Sequence, residues 1–152
     1  MARSKTGGGP GSNQYRVRGT AKQRQNAPQM STGMTSPQAA LRGLDIGQRS
    51  ILARDPSTPP EILTLLAQDK DIHVRHEVAR NSSAPPELLA QLAQDENMWV
   101  RWRVVKNLKC PPEILLQLIE DSVKGVQAGA IETIMERSDI PDHIRAIAAL
   151  SQ

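Results

Sequence analysis

Apolar residues along residues 59–152 come in short bursts that return at a fixed interval. Pro-Pro-Glu triplets begin at Pro59, Pro85 and Pro111, 26 residues apart each time, and a period of that size marks stacked structural units. Behind each triplet stand Ile62, Leu88 and Ile114, then Leu63, Leu89 and Leu115, then Leu66, Leu92 and Leu118. That is one apolar stripe of a short helix. A second burst follows an acidic turn at Asp69, Asp95 and Asp121. It repeats Val74, Val100 and Val126, then Val78, Val104 and Ala130, then Ala79, Val105 and Ile131. No stretch alternates with period two, so no strand is predicted.

Each unit therefore reads as two helical segments, neither able to hide its stripe except against neighbouring units. Proline at a first helical position sacrifices no hydrogen bond, and Thr58 with Glu61 has the spacing of a capping box, so the first segments start at the prolines. The boundaries predicted are 36–58 for a partial capping unit, then 59–84, 85–110 and 111–140, with a partial unit over 141–152. The 111–140 unit is four residues longer than the others, and the surplus falls in or after its second segment. Residues 1–35 hold six glycines and two prolines with no apolar period. Too little surface can be buried there to offset the entropy of ordering it, and disorder is expected.

Composition refines this picture. Phe is absent and only Tyr15, Trp99 and Trp102 are aromatic, so the core must be Leu, Ile, Val and Ala. The net charge of +3 averages two unlike parts. Six of the 19 basic residues and none of the 16 acidic ones fall in 1–35, which leaves 13 against 16, or −3, for the rest. No run approaches the roughly 20 apolar residues of a membrane helix, and no signal segment opens the chain; a cytoplasmic location is expected. One cysteine, Cys110, excludes an internal disulfide and a thiolate cluster.

The units resemble the leucine-rich repeat variant family, in a pattern carried by Thr58-Pro59-Pro60-Glu61 through Asn81 and by Pro85-Pro86-Glu87 through Asn107. The resemblance implies an all-α, right-handed α-solenoid in which α and 3₁₀-type segments alternate. Some members of the family carry an iron-sulfur module, which Cys110 alone cannot reproduce. A fold shared by binding scaffolds names no ligand.

Candidate chemistry follows from helical geometry. With Val74 at 0° and about 100° per residue, Val78 falls near 40°, Ala79 near 140° and Arg75 near 100°. The column Arg49, Arg75, Arg101, ending in Gln127, thus lies between buried columns and is expected to pair with Asp69, Asp95 and Asp121 or with helix-end carbonyls. The opposite face presents His73, His76, Glu77 and Arg80 in one unit, Trp99, Trp102, Arg103 and Lys106 in the next, and Gly125, Ala128, Gly129 and Glu132 in the third. Trp beside Arg is the composition of interaction hot spots, unless the rings lie down over the small residues of the next unit. His73, His76 and Glu77 have a spacing that can ligate zinc, but the aligned positions in other units lack ligands and no third residue is identifiable. Cys110 shares a column with Thr58 and Ala84 and reads as a packing residue.

The sequence thus predicts a non-catalytic scaffold that binds a protein or peptide through the exposed face of the second segments, with Trp99, Trp102, Arg103, Lys106, His76, Arg80 and Arg54 as contacts. The alternative is phosphate-backbone binding by Arg3, Lys5, Arg16, Arg18, Lys22 and Arg24 of the tail together with the column Arg54, Arg80 and Lys106. No enzyme activity, metal, cofactor or membrane partner is expected.

Overall fold

The computed structural model describes residues 36–151; the tail, with its six basic candidates, lies outside the described residues. Nine helices and no strand occur among the described residues. They are α1 (Pro37–Leu41), α2 (Ile46–Arg54), α3 (Pro60–Leu66), α4 (Ile72–Arg80), α5 (Pro86–Leu92), α6 (Met98–Val105), α7 (Pro112–Leu118), α8 (Lys124–Glu136) and α9 (Asp142–Leu150). The four surplus residues of the third full unit lengthen its second helix: α8 has 13 residues where α4 has nine.

Local chemistry sets the helix ends. The second helices α4 and α6 start where a short polar side chain accepts a freed backbone N–H: Asp71 Oδ1 from His73 at 2.8 Å and Asn97 Oδ1 from Trp99 at 2.9 Å, whereas α8 follows Val123 with no side-chain cap. Asp45 and Gln48 form a complete capping box on α2. The Thr58/Glu61 box expected from spacing does not form. Thr58 Oγ1 donates backwards, to the Leu52 carbonyl of α2 at 2.7 Å, and the N-cap of α3 is Pro59, with no side-chain bond. A hydroxyl can donate as well as accept, and here it satisfies the end of the helix behind it. The first helices close through tightened i→i−3 bonds, as from Gln68 N to Leu65 O and Asp69 N to Leu66 O, both 3.1 Å, and open through similar ones, as from Ile62 N to Pro59 O at 3.0 Å; 3₁₀-type bonds thus mark the ends of helices that are themselves α.

Packing follows the predicted columns. Second helices stack directly, α2 on α4, α4 on α6 and α6 on α8, while the first helices flank them. Val74, Val100 and Val126 are buried, as are Val78, Val104 and Ala130, and the three leucine columns of α3, α5 and α7 close the other side, with only Ile62 partly exposed. Thr58, Ala84 and Cys110 are all buried before their prolines, and burial pushes the Cys110 thiol up to about 12.

Two polar ladders join the units. Arg75 Nε and Nη2 grip the Asp95 carboxylate of the next unit at 2.7 and 3.1 Å, while Nη1 donates to the Asp69 carbonyl of its own unit at 2.9 Å. Arg49 does the same with Asp69 and the Leu44 carbonyl, and Arg101 with Asp121 and the Asp95 carbonyl. The arginine column thus takes the structural role that its angle predicts, each planar fork serving two units at once. Gln127 keeps only the carbonyl bond, to Asp121 O at 2.5 Å. The second ladder is asparagine. Asn107 Nδ2 donates to the carbonyls of Ala79 and Asn81 in the unit before, at 2.8 and 3.0 Å, and Asn81 Nδ2 to those of Ala53 and Asp55 at the same distances.

Candidate interaction face of the second helices

The solvent side of α2, α4 and α6 carries the residues that the sequence singles out, and the structure divides them. Trp99, at the start of α6, stays 58% exposed. Trp102, one turn on, is half-buried and lies on Gly129 of α8, where a β-carbon would meet its ring at 2.2 Å. No bulkier residue leaves room for that ring. The two rings therefore answer differently the question of whether they face solvent or seal the stack.

The charged neighbours are also shared between units. Arg103 Nε donates to His76 Nε2 at 2.7 Å, so His76 is a neutral acceptor there, and its Nδ1 lies 3.4 Å from Glu77 Oε1. Burial first, and the Arg103 guanidinium second, hold His76 below its ordinary value of 6.5. Glu77 Oε2 is buried without a hydrogen-bond partner, with Arg80 Nη1 3.8 Å away. Lys106 Nζ pairs with Glu132 at 2.7 Å and stands 5.1 Å above the Trp102 ring, a cation–π arrangement. His76, Trp102, Arg103 and Lys106 are thus partly consumed in holding α4, α6 and α8 together, an outcome that a wheel drawn on one helix omits because it ignores the neighbour's side chains. Arg54 and Arg80 remain exposed. His73 and His76 belong to no group of three potential ligands among the described residues.

Two hollows run along this face. One, of about 210 Å³, lies between α2 and α4 and is lined by Ser50, Ile51, Arg54, His73 and Glu77. The other, of about 140 Å³, lies between α4 and α6 and is lined by Ile72, His73, His76, Asn97 and Trp99. Ile51 at 62% and Ile72 at 39% exposure border them. Neither isoleucine is among the residues that the sequence singles out: Ile51 shares its column with the outward Glu77 and Arg103, which was its signal, whereas Ile72 shares its column with Ile46 and Met98, an apolar run that gives none. Successive hollows of this kind, each with an apolar edge and a few polar groups, can seat side chains of an extended chain.

No helix among the described residues is long and apolar enough to cross a membrane. Residues 72–97, which span α4 and α5 into the turn before α6, match the family model described as leucine rich repeat variant. No curated protein and no solved structure matches the chain.

Proposed function

We propose that this solenoid of leucine rich repeat variant units is a non-catalytic binding module that takes an extended peptide segment of a protein partner along the outer face of α2, α4 and α6. The observation that carries the proposal is Trp99, a large ring left mostly in water beside Ile72 at the hollow between α4 and α6, while Trp102 on the same helix is used for packing. An exposed tryptophan is the residue type enriched at interface hot spots. Arg54, Arg80 and Trp99 are its contact residues, with Ile51, Ile72 and His73 added; Trp102, Arg103, Lys106 and His76 hold the face in shape.

Phosphate-backbone binding draws less support from this face. Lys106 is neutralised by Glu132, so the cation column that a nucleic acid would track is reduced to Arg54 and Arg80, the second with Glu77 beside it.

Selection of a displayed random peptide library on the full-length chain tests the proposal. Peptides should be retained by the native protein and lost by a Trp99→Ala, Ile72→Asp variant whose helical circular dichroism is unchanged. A library that yields no peptide, or peptides indifferent to those changes, refutes it.

A further inference from the structure

The outer face of α8 lies in the position that α6 occupies when it receives α8. On α6 the receiving groups are Arg101, Trp102 and Lys106, which meet Asp121, Gly129 and Glu132. Their equivalents 26 residues on are Gln127, Ala128 and Glu132. With Lys124, Ile131 and Met135 these line an open hollow of about 550 Å³, bordered by Ser151 after α9. Among the described residues no helix covers it, and Met135 is 44% exposed there.

The side chains on this face are not those that stack a further unit of the same kind. Gln127 has no guanidinium to grip a following carboxylate, and its amide is already spent on the Asp121 carbonyl. The column Arg54, Arg80, Lys106 reverses sign at Glu132. The arginine fork of the repeat thus ends at α8.

The same substitutions make the face complementary to itself. Lys124 and Glu132 stand eight residues apart, about 12 Å along the helix, with the small Ala128 midway. Two α8 helices placed antiparallel about a two-fold axis at Ala128 bring each Lys124 opposite the other copy's Glu132, whose exposed carboxylate then bridges Lys124 and the Lys106 of its own chain. The short side chains at the centre permit close approach, and Ile131 and Met135 supply apolar cover. An isologous interface requires one patch to hold both halves of every contact, and this patch does. We propose that the α8 face is an interface between two copies of this chain, on a hollow that Trp99 does not line.

Sedimentation equilibrium of the full-length chain tests this. At about 100 µM the native chain should show twice the 16.6 kDa mass of one copy and dissociate on dilution, as expected for a micromolar Kd. Ala128→Arg, at an exposed helical position, should restore the single-copy mass with unchanged circular dichroism, whereas Trp99→Ala should keep the doubled mass. If Ala128→Arg fails to fold, Lys124→Glu carries the same test. A native chain of single mass throughout leaves the face to a helix of another protein and overturns the proposal; so does an Ala128→Arg protein that stays double, or a Trp99→Ala protein that does not.

Discussion

Trp99 and Trp102 stand three residues apart on one side of α6, and what separates their roles is the neighbour each one has: Trp102 lies on Gly129 of α8, whereas Trp99 borders the hollow beside α4. Gly129 is the position where the neighbouring helix gives way. A glycine inside a helix costs about 1 kcal/mol against alanine, and here that cost makes space for an indole ring. Gly129→Ala should therefore destabilise the native chain, because overpacking of about 1–3 kcal/mol exceeds the propensity gain. In a Trp102→Ala background the same change should stabilise by about 1 kcal/mol. Urea midpoints of the four proteins check the reversal. Both tryptophans were legible as outward residues; which one is covered was not, because it depends on the side chain opposite, one unit away. The mid-helix Gly129, with no turn to explain it, was the signal.

Among the elements, the arginine fork is what makes one unit hold the next. Arg101 binds the Asp121 carboxylate and the Asp95 carbonyl together, and it holds the Asp121 carboxyl below its ordinary value of 3.8. A depressed carboxylate stabilises the folded chain above its ordinary value and loses that contribution as pH falls through the folded one. Arg101→Gln imitates Gln127: the carbonyl bond survives and the carboxylate pair does not. The cost at pH 7 should be about 2 kcal/mol, between that of an exposed pair and that of a buried one. The gap between variant and native chain should narrow below about pH 4, as urea unfolding at pH 7 and pH 3 would show. The fork was readable because 100° per residue puts Arg75 between buried columns. The asparagine ladder was not, since Asn at 81 and 107 also reads as an ordinary helix stop. Its signal was the aspartate at the same column in the first unit: Asp55 accepts from Ser57 within its own turn, and the carbonyls its homologues serve belong to a preceding second helix.

Across the whole molecule, a 26-residue period converts local rules into a stacked architecture, which is why helix number, order and core columns could be written down from the chain alone. Thin layers of short helices fill with Leu, Val, Ile and Ala, so the absence of Phe leaves no void to explain. The binding face is a different matter, because the repeat constrains the interior and leaves the exterior free to vary. Ile51 shows this, an apolar residue on an outward surface whose column also holds Glu77 and Arg103. Two tryptophans give two indole N–H signals in a ¹H–¹⁵N spectrum, assigned by a Trp102→Phe variant. On titration with a peptide selected by the native chain, the Trp99 indole signal should shift progressively while that of Trp102 stays in place. A titration that moves neither signal, or moves Trp102 alone, would contradict the assignment of the outer face of α2, α4 and α6 as the binding surface.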